Sequence, residues 1–61
     1  MTRREELQKL RDELLESIRL DWADMAEPGR SAAERQGIRA HILWAIEELV
    51  RLVDELETLD D

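Results

Sequence analysis

Ala26-Glu27-Pro28-Gly29-Arg30-Ser31-Ala32-Ala33-Glu34 contains the only proline of the 61-residue chain and one of its two glycines. Pro28 disfavours helical geometry at Glu27, and Gly29 can take the backbone angles that a turn needs. Directly after this break, Ser31 and Glu34 form the S/T-x-x-E pattern, in which each side chain can satisfy a free backbone N–H at a helix start. Thr2 and Glu5 repeat the pattern at the front of the chain. Two starts and one break predict a helix over 2–26, a turn over 27–30 and a helix over 31–58, followed by an acidic tail over 59–61. So short a connection makes the helices antiparallel neighbours, and the fold class is all-α: a two-helix hairpin, one domain over 1–61. In that register Met25 lies level with Ala32, Ile18 with Ile38, Leu14 with Ile42, and Leu7 with Leu49 or Val50.

At about 100° per residue, Leu7, Leu10, Leu14, Leu15, Ile18, Trp22 and Met25 fall along one side of the first helix, an ordinary core stripe. On the second helix Ile38, Ile42, Leu43, Ala45, Ile46, Leu49, Val50, Leu52, Val53 and Leu56 cover about half the circumference. That is wider than the ~100° stripe that one packing partner requires. A chain of this length also buries only about 60% of the surface its unfolded form exposes. It has no cysteine to supply a disulfide or a thiolate metal site, which leaves oligomerisation or unusually good helix packing as the staple. Two hairpins packed face to face make an antiparallel four-helix bundle, an architecture that resembles the Rop-type dimers. The expected dimer core is Leu7, Leu10, Leu14, Ile18, Trp22, Ile42, Ile46, Leu49, Val53 and Leu56.

A second surface lies behind that stripe. Ala33, Gly37, Ala40 and Trp44 recur at spacings of four, three and four on the other side of the second helix, where small residues let another backbone approach and Trp44 can anchor it. Leu20, on the outer side of the first helix, falls at about the level of Gly37. Leu20, Ala33, Gly37, Ala40 and Trp44 are therefore the expected second interface, for a higher oligomer or another protein. The plain alternative is that one exposed Leu and one exposed Trp are common on soluble proteins.

Sixteen acids against nine bases give a net charge of −7, which argues against general binding to nucleic acid or to anionic membranes. The first residues run straight into charged helical sequence, so no signal peptide is expected, and no apolar run approaches the ~18 residues that span a bilayer. A cytoplasmic protein is the resulting expectation. Charge is uneven: Glu47, Glu48, Asp54, Glu55, Glu57, Asp60 and Asp61 crowd the end of the chain, near Arg3 and Arg4 in a hairpin. At the other end Arg19, Arg30, Arg35 and Arg39 surround the loop. Without aromatic interleaving they read as a solvated face rather than a nucleic-acid site.

The chain offers little to catalysis. His41 is the only histidine; Glu34 and Glu48 share its line on the helix but stand seven residues away, about 10 Å along the axis, too far to share one ion. His41 is read as a solvated or rim residue. There is no Tyr, and Ser31 is a cap first, so nucleophilic catalysis has almost no material. Glu13-Leu14-Leu15-Glu16, with Asp54 and Glu57, faintly resembles the E-x-x-E and E-x-x-D helices of all-α nucleotide pyrophosphohydrolases, which gather carboxylates at Mg²⁺. Here the helical phase turns Glu13 and Glu16 away from the leucine stripe, so no sites are carried over. No catalytic, metal or cofactor-binding residue is assigned.

The function that follows is a non-enzymatic oligomerising module, a small regulator, adaptor or assembly factor working through protein–protein contacts. Its partners are a second copy of itself and another protein, with neither nucleic acid nor membrane. Two alternatives belong to other classes. One is an acidic inhibitor that imitates nucleic acid, as small phage anti-defence proteins do; the other is a phage or plasmid DNA-packaging or regulatory accessory that uses the loop arginines.

Overall fold

The computed structural model describes residues 2–59, so Asp60 and Asp61 of the expected acidic tail lie outside the described residues. It is all-α, with α1 over Arg3–Met25 and α2 over Ala32–Thr58 packed along each other as an antiparallel hairpin. The long axis of the hairpin is 47 Å.

Both expected caps form. The Thr2 hydroxyl accepts from the Glu5 backbone N–H at 3.1 Å and donates to the Glu5 carboxylate at 3.2 Å. Ser31 makes the complete reciprocal box: its hydroxyl accepts from the Glu34 N–H at 3.1 Å, while the Glu34 carboxylate accepts from the Ser31 N–H at 3.3 Å. Ala26 ends α1, donating its N–H to the Trp22 carbonyl at 3.1 Å. Gly29 turns the chain with a φ of +98°, a left-handed angle that a side chain disfavours. At the far end the Thr58 hydroxyl donates to the Asp54 carbonyl at 3.1 Å, and an Arg4 guanidinium N–H reaches the Leu59 carbonyl at 3.3 Å. The Arg4 bond satisfies one of the carbonyls that the end of α2 leaves without a helical partner.

The core between the helices is one line of contacts. Leu7, Ile42 and Ala45 are buried, at 1%, 3% and 0% exposure, and Leu14, Ile18, Met25, Ile38, Leu49, Leu52 and Leu56 are half-buried beside them. On α2 the packed residues 38, 42, 45, 49, 52 and 56 repeat at spacings of four and three, the period that keeps one edge of a helix against its neighbour. The reading of the α1 stripe as ordinary core needs correction. Leu10, Leu15 and Trp22 stay exposed in the hairpin, because two helices touch along a narrow seam and these three lie to either side of it.

Candidate functional site

The two long edges of the hairpin differ in chemistry. Along one edge the helices are bridged by polar pairs. Arg3 of α1 donates to the Glu55 carboxylate of α2 at 2.7 Å. Asp21 pairs with Nδ1 of His41. Arg30, just before α2, holds Asp24 at the end of α1 and, at 3.1 Å, Glu34 at the start of α2. Arg3 and Asp21 are eighteen residues apart, five full turns, and His41 and Glu55 are fourteen apart, so both cross-helix pairs lie on the same edge. Arg30 also answers an electrostatic problem, since Asp24 puts a negative charge at the negative end of the α1 dipole. Its guanidinium, hydrogen-bonded to Glu34, holds that carboxyl below its ordinary value, helped by the Ser31 backbone N–H.

The other edge is apolar over most of its length; its polar link is near the chain ends, where Arg4, in helical phase with Trp22, reaches the Leu59 carbonyl. Trp22 and Met25 of α1 face Leu43, Ile46 and the flank of Ile42 on α2 across an open groove of about 890 Å³, rimmed by Arg35, Gln36 and Arg39. Leu15 continues this edge seven residues before Trp22; Val50 and Val53 continue it seven residues after Leu43 and Ile46. All of Leu15, Trp22, Leu43, Ile46, Val50 and Val53 are exposed.

The residues expected in the dimer core therefore divide. Leu7 and Ile42 are buried inside the single hairpin, and Leu14, Ile18, Leu49 and Leu56 line its seam. Trp22, Ile46 and Val53 stand on the open apolar edge. Leu10 is exposed on the opposite, polar edge, in helical phase with Arg3 seven residues before it.

The residues of the expected second interface, Leu20, Ala33, Gly37, Ala40 and Trp44, are all exposed. The Trp44 ring stacks on His41, with centroids 5.7 Å apart and planes at 23°. Because Asp21 holds His41, the aromatic pair is tied to α1 as well as to α2. A Cβ added at Gly37 meets nothing within 4 Å, so the hairpin itself does not require glycine there.

His41 is on the rim, 50% exposed in its side chain, but it is bonded to Asp21 rather than only solvated. The sequence reading missed Asp21. Its signal was a carboxylate three residues after Ile18 and seven after Leu14, on the flank of the packing stripe, where it faces the other helix. Glu13 and Glu16 are exposed, with Glu16 bound by Arg19 at 2.5 and 3.1 Å. Among the described residues no group of three His, Asp or Glu side chains gathers where it could hold a metal ion, and no helix is long and apolar enough to cross a membrane.

Comparison with known protein families, with curated proteins and with solved structures returns no match.

Proposed function

We propose that the chain is a non-enzymatic self-associating module that dimerises through its open apolar edge into a four-helix bundle, and offers its Trp44 surface to another protein as a small regulator, adaptor or assembly factor. One observation carries this reading. Six large apolar side chains are exposed along one edge, while the other edge is bridged by Arg3–Glu55, Asp21–His41 and Arg30–Asp24. A contiguous apolar strip on a small domain is a place for a protein partner. Covering the exposed half of such side chains contributes on the order of 1 kcal/mol each. One or two would not offset the about 4–15 kcal/mol that association costs, whereas six on each of two copies reach that range. The concentration dependence of the thermal midpoint tests the proposal: self-association requires it to rise with chain concentration, and a constant midpoint contradicts it.

The second surface is supported by the stacking of Trp44 on a histidine that Asp21 holds, which fixes a half-exposed aromatic ring in advance of any contact. Trp44→Ala is expected to leave dimer mass and helicity unchanged and to abolish recovery of a protein partner from the native host. Unchanged recovery would show the ring to be only a cover for His41. The nucleic-acid-mimic alternative draws less support from the geometry, because Glu55 and Glu48 are engaged by Arg3 and Arg51.

A further inference from the structure

The surface of α2 carries two interleaved stripes, offset by one residue. The first, 38-42-45-49-52-56, is spent on α1. The second is Arg39, Leu43, Ile46, Val50, Val53 and Glu57, again at spacings of four and three, and every member is exposed. Arg39 and Glu57 are eighteen residues apart, five full turns, so they close the two ends of one straight line about 27 Å long. Four apolar residues fill the line between a cation and an anion. Six of the eight arginines have a protein partner: Arg3, Arg4, Arg11, Arg19, Arg30 and Arg51. Among the described residues Arg35 and Arg39, both on the groove, form no ion pair, and neither does Glu57.

We infer that this stripe is self-complementary and sets both the direction and the register of the dimer, α2 running antiparallel to α2 of a second copy about a two-fold axis level with Glu48. In that register Ile46 meets the partner's Val50, Leu43 meets the partner's Val53, and Arg39 meets the partner's Glu57, each contact occurring twice as a two-fold axis requires. The reverse choice, with the two α2 helices parallel, places Arg39 on its own copy and Glu57 on its own copy, so like charges meet at both ends. The apolar residues fit either direction; the charges at the ends discriminate. The occupant of the open edge is thus a second copy of this chain, with its turn at the opposite end of the bundle. The inference rests on the self-association proposed above.

Because the chain has no cysteine, Ala33→Cys gives one nitroxide site per copy on the exposed outer side of α2. Ala33 stands fifteen residues from the axis level. Dipolar spectroscopy is expected to show label separations of about 45 Å or more in the antiparallel dimer, against about 20 Å, the width of two helices, in the parallel one. Arg39→Glu and Glu57→Arg are each expected to weaken self-association about tenfold, and the double reversal in one chain to restore it, with circular dichroism confirming helicity in all three. A short separation overturns the direction while leaving self-association standing. A dimer whose double reversal is no tighter than either single reversal overturns the register. A single-chain mass with no dipolar coupling overturns both this inference and the proposal beneath it.

Discussion

Asp21 of α1 pairs with Nδ1 of His41 on α2, and His41 in turn stacks on Trp44. A polar contact between the helices thereby sets the posture of an aromatic ring that faces outward. Replacing Asp21 by Ala is expected to cost about 1 kcal/mol of stability, the usual worth of one hydrogen bond on a half-exposed rim. The loss should appear as a lower midpoint of the circular-dichroism melt at fixed chain concentration. In a Trp22→Phe background, where Trp44 is the only indole, the same substitution should raise the rotational freedom of Trp44 in time-resolved fluorescence anisotropy.

The capping box at Ser31 makes a prediction about acid. Arg30, and then Ser31, hold the Glu34 carboxyl below its ordinary value in the folded chain, and Arg19 does the same for Glu16. A group whose folded value is depressed contributes stability that is fully present above its unfolded value and is lost as pH falls through the folded value. Acidification from neutral should therefore begin to destabilise the hairpin as the pH passes below the ordinary carboxylate range, and Glu34→Gln should flatten part of that dependence. Ser31→Ala, which removes the cap at every pH, is expected to cost about 1 kcal/mol. Melts recorded as a function of pH separate the two effects.

The two glycines should respond in opposite directions. Gly37 sits inside α2 with open space where a Cβ would go, so Gly37→Ala should stabilise the isolated protein by about 1 kcal/mol. Gly29 turns the chain at a φ of +98°, so Gly29→Ala should destabilise it by about 1–2 kcal/mol. Chemical denaturation of both variants checks the signs. If Gly37→Ala also loses a protein partner while gaining stability, the small side chain there serves contact and not folding.

The seam is thin enough for one residue to matter. Leu7 is 1% exposed and is the largest fully buried side chain, so Leu7→Ala is expected to cost about 2–5 kcal/mol. In a hairpin this small that loss should unfold much of the population at room temperature, visible as lost helicity. Leu15→Ala, on the exposed edge, should cost the single hairpin little and act instead on association.

The helices and the turn were legible in the sequence because their signals are local: Ser31 with Glu34, Thr2 with Glu5, and Pro28 beside Gly29. The breadth of the apolar surface on α2 was legible as well. What periodicity did not assign was which phase α1 would occupy, since 38-42-45-49-52-56 and 39-43-46-50-53-57 have the same spacing and differ by one residue. Leu10, Leu15 and Trp22 share the α1 stripe with Leu7 and Leu14, and only the width of the actual seam separates them. Asp21 and His41 lie twenty residues apart, a pairing set by the level of the two helices rather than by any motif.

The central claim is that the open edge holding Leu43, Ile46, Val50 and Val53 is covered by a second copy. Sedimentation equilibrium on the wild-type chain and on Ile46→Glu tests it most directly. The account predicts a wild-type species of twice the 7.2 kDa chain mass, and a shift toward the single chain for Ile46→Glu at equal concentration. A wild-type mass of 7.2 kDa at every concentration at which the helices are folded would contradict it.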